Sequence, residues 1–198
     1  MVGAAIWRRA DRPMMREWVD ASMSLLDKPI DPSIKLMIGY LLLLYLLWWQ
    51  NNLPKSQIVF AKMHALGEDP HAGILARLMW KVMEATFLYM HGKGDEAVRA
   101  AQDGLVLAAE VGVHHLDLLL YAQSAYGHLT KFDMDGASLD MRGMESLLQS
   151  THTFDFAHYH FWWSCFWSCL FGRWLICNCA HRVRLSFSHR NFTHFCCI

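Results

Sequence analysis

Two absences divide this sequence. None of its six cysteines stands before Cys165, and none of its eighteen aspartates and glutamates stands after Asp155. Proline and glycine are also scarce, at five and twelve, which excludes a fibrous chain or a long flexible linker. The start carries no basic segment followed by an apolar stretch and a small-residue cleavage site, so secretion is not expected and a disulfide framework has no support. The formal net charge is zero, which removes any global electrostatic reason to bind nucleic acid. What is present is apolar: 54% of the 198 residues are hydrophobic and 18% charged, which excludes intrinsic disorder and suffices for one domain with a core.

The zero net charge hides two opposite halves. Residues 1–155 carry fourteen basic and eighteen acidic side chains, a balance of −4, whereas residues 156–198 carry Arg173, Arg182, Arg184 and Arg190 with no acid, a balance of +4. One folded domain rarely changes composition so sharply.

Residues 14–155 read as helix throughout. Apolar residues recur at spacings of three and four rather than two. Across 73–91 they fall at Ile74, Leu75, Leu78, Met79, Val82, Met83, Phe87 and Met90, with Arg77, Lys81 and Glu84 on the opposite face. Asp31-Pro32 and Asp69-Pro70 each place a capping carboxylate before a proline at the first helical position, and Pro13 and Pro54 can open helices similarly. Gly67 and Gly112 follow apolar runs, where a helix C-terminus favours positive φ.

A repeat of about forty residues underlies this pattern. A long apolar helix, a short polar turn and a second amphipathic helix recur around turns at Gln50-Asn51-Asn52, Gly92-Lys93-Gly94-Asp95, Phe132-Asp133-Met134-Asp135 and Gly172-Arg173, whose starts are 42, 40 and 40 residues apart. Small residues, Ser56, Ala97 and Ala137, follow the first three turns and allow paired helices to approach closely. The spacing predicts helices at 14–27, 33–50, 55–66, 71–91, 95–110, 115–130, 135–149 and 156–171. The series begins with the second half of a hairpin, so a fragment or a truncated gene product is expected.

Isolated polar pairs carry little chemistry. His158 and His160 are two apart, and on a helix their imidazoles point away from each other. Asp133 and Asp135 resemble the opening of a calcium loop, but the later oxygen ligands are missing and Asp133 reads as a helix cap. The run Leu36–Trp49 would span about 21 Å as a helix, short of a bilayer's hydrocarbon. Its place in the forty-residue series explains it as a buried solenoid helix.

The stretches Ile34–Trp49 (IKLMIGYLLLLYLLWW), Ala108–Val113, Asp117–Tyr126 (DLLLYAQSAY) and Ala157–Trp162 (AHYHFW) resemble the TPR-like helical-repeat region of large bacterial signal-transduction ATPases and transcriptional regulators. These include relatives of the maltose-regulon activator and proteins with a bacterial transcriptional activator domain. The resemblance covers roughly residues 14–173. It implies an all-α, TPR-like α-solenoid of about three and a half hairpins, cytoplasmic, with the first helix of each hairpin lining a concave face. Trp80, Tyr89, Tyr121 and Tyr126 are the candidate groove residues for a protein or peptide partner. The family's output modules are not seen: there is no phosphate loop of the form G-x-x-x-x-G-K-[ST] and no basic recognition stripe. The expected role is therefore a non-catalytic interaction or sensor segment, with no cofactor, metal or nucleic acid bound by this chain. Self-association through unfinished solenoid ends is expected as well.

Three regions follow: an extension at 1–13, the repeat domain at 14–173, and a Cys/His-rich tail at 174–198. The tail loses helical periodicity and reads as the product of a shifted reading frame. Two other readings compete with the interaction segment. One is a zinc site from Cys177, Cys179, His181, His189, His194, Cys196 and Cys197, whose spacing departs from the usual knuckle. The other is a small membrane protein anchored through residues 36–52.

Overall fold

The computed structural model describes residues 13–150, which lie in one unit, Met1–Thr151. The described residues are all-α, with no strand among them. The helices are α1 (Pro13–Leu25), α2 (Pro32–Leu44), α3 (Leu53–Gly67), α4 (Ile74–Met90), α5 (Gly94–Val111), α6 (Asp117–Thr130) and α7 (Met134–Ser150). A π-helical turn, Tyr45–Trp49, continues α2. The expected helix at 156–171, the turn at Gly172-Arg173, the domain edge at 173 and the tail 174–198 lie outside the described residues.

Local chemistry sets most of the boundaries. Asp31 caps α2, its carboxylate accepting from Ser33 N at 2.8 Å, with Pro32 in the first turn. Asn52 caps α3 in the same way, accepting from Lys55 N at 3.1 Å. Gly112 ends α5 at φ 69°, the left-handed conformation expected there. Two expected boundaries are corrected. Asp69 accepts from His71 N at 2.9 Å within a turn, and α4 starts later, after Gly73. Gly67 is small because the Trp80 indole lies where its Cβ would stand, not because of a positive φ.

The second and third turns repeat bond for bond, and the first, which leaves a π turn, shares their left-handed tip. Asn51, Gly92 and Phe132 adopt φ 48°, 75° and 60° at the three hairpin tips. Gly92 N donates to Tyr89 O at 3.0 Å and Phe132 N to Leu129 O at 3.1 Å. Lys93 N donates to Leu88 O, and Asp133 N to His128 O, each at 3.0 Å. The second helix then opens with Ser56 N to Asn52 O at 3.0 Å, Ala97 N to Lys93 O at 3.0 Å and Ala137 N to Asp133 O at 3.2 Å. Those three small residues, picked out by spacing, are buried to 0%, 0% and 3% exposure.

Packing follows chain order with a regular skip. α1 lies on α2, and α2 on α3 and α4. α4 in turn packs on α3, α5 and α6, and α6 on α5 and α7. Ties between residues 35–40 positions apart join neighbours: Lys55 to Asp20 at 3.2 Å, Gly73 N to Ser33 Oγ at 2.8 Å, and Thr86 Oγ1 to Gln123 Oε1 at 2.9 Å. Lys62–Asp27 and Lys131–Asp95 add two more. The main apolar core gathers Leu36, Leu42–Leu47, Val59, Met63, Trp80, Met83 and Phe87 from α2, its π turn, α3 and α4. Among the described residues, Pro32–Trp49 is the one helix long and apolar enough to cross a membrane, and Leu36 and Leu42–Leu47 within it are packed in that core.

Candidate functional site

The four aromatic candidates do not share an open groove. Trp80 has 0% exposure and lies over Gly67 in the core, so the expectation that it faces a partner is corrected. It is buried because it lies on the side of α4 that packs against its neighbours, over Gly67 of α3. Tyr89 and Tyr126 are half-buried and meet ring to ring across α4 and α6, with centroids 5.3 Å apart. Burial, with Tyr126 adding to it, pushes the Tyr89 hydroxyl pKa well above its ordinary value. Tyr121 is half-buried against α7, its ring filling the place of a Cβ on Gly143. Tyr89, Tyr121 and Tyr126 thus share the α4/α6/α7 side of the molecule, and much of each ring serves helix packing.

A cleft not foreseen from the sequence lies elsewhere, where the end of α3 meets α4 and α5. It has a volume of about 250 Å³ and is lined by Glu68, Arg77, Lys81, Asp103, Val106, Leu107 and Glu110. Lys81 forms its inner wall. Its Nζ lies 2.6 Å from Glu68 Oε1 and 3.1 Å from Glu84 Oε2. His64 Nδ1 lies 2.8 Å from Glu84 Oε1, which extends the chain of charge toward α3. Arg77 is held back by its own bond from Nε to Gly67 O at 3.2 Å.

The face of α4 opposite its apolar stripe is covered at this point. Lys81 and Glu84 are only 7% and 4% exposed. Burial alone would lower the Lys81 pKa, but the hydrogen bond it donates to Glu68 and the charge of Glu84 outweigh it and raise that pKa. The same hydrogen bond, against a smaller effect of burial, holds Glu68 below the usual carboxylate range. Lys81 is therefore a fixed cation, not a free amine that could act as base or nucleophile at neutral pH. The three carboxylates and two cations of the lining suit charged side chains of a partner better than an apolar small molecule.

A second polar cluster joins α6 to α7. His128 Nδ1 lies 2.7 Å from Asp133 Oδ2, and its Nε2 lies 3.6 Å from Asp140 Oδ2. Among the described residues no group of three or more His, Cys, Asp or Glu side chains is arranged to hold a metal ion. The cysteines and histidines of the tail lie outside the described residues.

The sequence carried a faint signal for the cleft: Lys81 and Glu84 are three apart on a helix that reads as apolar on several sides. Nothing in it placed Glu68 or α5 against them. No family model, no curated protein and no solved structure matches the chain.

Proposed function

We propose that residues 13–150 are a TPR-like α-solenoid segment that holds a protein or peptide partner without catalysis. The observation that carries this reading is the repetition of the hairpin itself. Left-handed tips at Asn51, Gly92 and Phe132 and buried small residues at Ser56, Ala97 and Ala137 recur every 40 or 41 residues, and the turn hydrogen bonds match at the second and third tips. The packing of α2 on α4 and of α4 on α6 is what stacked hairpins require. In this reading the chain descends from the helical-repeat region of a bacterial signalling ATPase or transcriptional regulator, and works in the cytoplasm.

The partner surface is the side formed by α2, α4 and α6, with Tyr121 and Tyr126 at its end. A peptide library displayed on phage and panned against the full chain tests this. Selected peptides should protect amides of α2, α4 and α6 from exchange more than those of α1 and α3, and Tyr121→Ala should weaken them. Binding that maps to the Lys81 cleft, or that survives Tyr121→Ala unchanged, would reject this surface. The exposed Ile34 and Met37 on α2 also support self-association. Light scattering should show a mass that rises with concentration and falls in Ile34→Glu, and a constant mass would remove that part of the reading.

A further inference from the structure

Among the described side chains of α7, Ala137 and Met144 are the fully buried hydrophobic ones. Gly136 and Gly143 each disfavour helix by about 1 kcal/mol relative to alanine. Both are required by close packing: a Cβ at Gly136 would occupy the space of the His128 imidazole, and one at Gly143 that of the Tyr121 ring. Polar contacts therefore carry a large share of the docking of α7 on α6.

Those contacts converge on His128, whose side chain is 15% exposed. Asp133 accepts from Gly136 N at 2.9 Å, capping α7, and its other oxygen takes His128 Nδ1. The backbone bond from Gly136 and the His128 bond hold Asp133 below the usual carboxylate range, so it is ionised and can only accept. Nδ1 must then carry the imidazole proton. Nε2 of a neutral ring is left as an acceptor facing Asp140 Oδ2, 3.6 Å away. That oxygen is buried and has no hydrogen-bond partner among the described residues. Without a further proton, two acceptors face each other across a gap too long for a hydrogen bond and too short to admit water.

We propose that His128 and Asp140 form a proton-binding clasp: one proton taken up between His128 Nε2 and Asp140 Oδ2 tightens α7 onto α6, and its loss loosens that helix. Among the described residues no other charge satisfies this gap, and Asp133, the further charge that acts on Asp140, adds to its raised pKa. On α7, Asp135, Arg142 and Glu145 are exposed. From α5, Asp95 faces the same end of α6 but is bound to Lys131. The charged groups of α4 (Arg77, Lys81 and Glu84) are engaged with Gly67, Glu68 and His64.

The sign follows from linkage. Burial raises the Asp140 pKa despite the opposing Ser124 hydroxyl and His128. A group raised in the docked state adds stability below its ordinary range and loses it as pH rises through the raised value. Asp133 is lowered, so its contribution persists at neutral pH and disappears only in stronger acid, as pH falls through its lowered value. Docking of α7 is therefore tighter below the raised Asp140 value than above it.

Hydrogen exchange on the full chain tests this at about pH 4.5, where the lowered Asp133 is still ionised, and about pH 8, corrected for intrinsic rates, with α4 as internal reference. The opening constant of α7 relative to α4 should rise several-fold at the higher pH, with a ceiling of about tenfold per pH unit for one proton. Asp140→Asn supplies an amide donor to Nε2 in place of the proton and should remove the pH dependence while keeping α7 docked. His128→Gln should leave α7 loosened at the lower pH, since Asp140 stays buried but its proton no longer bridges to an imidazole. Equal α7 protection at both pH values in the parent chain, or an undiminished pH dependence in Asp140→Asn, would overturn the clasp. Carbon NMR of the Asp140 carboxyl keeps the test decisive if His128→Gln fails to fold: titration at an ordinary aspartate value also overturns it.

Discussion

The two ends of the described stack are held together by different means. Around α2 and α4 the chain fills space with volume. Leu36, Leu43, Leu44, Leu46, Leu47, Met63, Trp80 and Met83 are all fully buried, and Phe60 stacks on Phe87 with ring centroids 4.0 Å apart. Around α6 and α7 the buried residues are mostly small or polar, Ala122, Gln123, Ser124, Ala125, Ala137 and Asp140, with Leu120 and Met144 as the large apolar ones. Here helices approach until backbones nearly touch, and hydrogen bonds replace methylenes. At about 0.8 kcal/mol per buried methylene, the first region has far more apolar stabilisation to draw on. The second depends on fit and on polar satisfaction, so it is where small chemical changes should be felt as motion.

Removing volume from the first region gives the largest expected effect. Trp80→Ala should destabilise the chain by about 3–5 kcal/mol, because the indole is fully enclosed and its neighbours on α2 and α3 cannot collapse around the loss. Urea denaturation would read this. A loss below about 1 kcal/mol would mean the region is not close-packed, and the contrast between the ends would disappear.

Adding volume should hurt the second region instead. A Cβ on Gly127 would stand 3.0 Å from Gly94 O and 3.1 Å from Val98 N, both backbone atoms. Gly127→Ala should therefore push α6 from α5 and destabilise by about 1–3 kcal/mol, although alanine is the better helix former. A gain in thermal midpoint would show that this approach is looser than described.

Polar satisfaction sharpens the contrast further. Thr86 Oγ1 donates to Gln123 Oε1 between α4 and α6, with both residues buried. Thr86→Val strands the Gln123 oxygen and should destabilise by about 1–3 kcal/mol. The double variant Thr86→Val/Gln123→Leu removes both partners and should recover much of that loss. Additive losses would mean the pair contributes through shape alone.

The sequence made the skeleton legible because helix ends are local. Asp31, Pro32, Asn52, Pro54, Gly112 and Asp133 act within a few residues of themselves, and the forty-residue spacing located the tips near Asn51, Gly92 and Phe132. Asp69 misled because an Asx turn uses the same residue type as a helix cap. The sites were less legible because burial on all sides is not local. A residue on the polar stripe of α4 reads as exposed until α3 and α5 are known to cover it, which is why Lys81 and Glu84 were missed. The aromatic rings read as groove-lining for the same reason, since helical spacing gives a face but not what lies against it. The π turn at Tyr45–Trp49 has no sequence signature beyond an apolar run.

The smallest expected effect is a gain, and it isolates the end where fit dominates. The three hairpin tips need a left-handed residue. Asparagine and glycine, which fill the first two, tolerate that conformation. The third tip holds Phe132 at φ 60° with 87% of the residue exposed, so backbone strain is not repaid by burial of the ring. Phe132→Gly should stabilise the α6–α7 hairpin by about 1 kcal/mol, the strain released exceeding the entropy glycine adds to the unfolded chain. Gly92→Ala, at the matching tip of the preceding hairpin, should do the reverse by a similar amount, since nothing crowds that position and only its φ matters. Thermal midpoints of the two variants read these effects side by side. Opposite signs would show that the turn, and not the residues around it, sets the backbone at both tips. A loss of stability in Phe132→Gly would instead mean that the exposed ring is held by contacts in solution, and would make Phe132 the first residue to follow toward a partner.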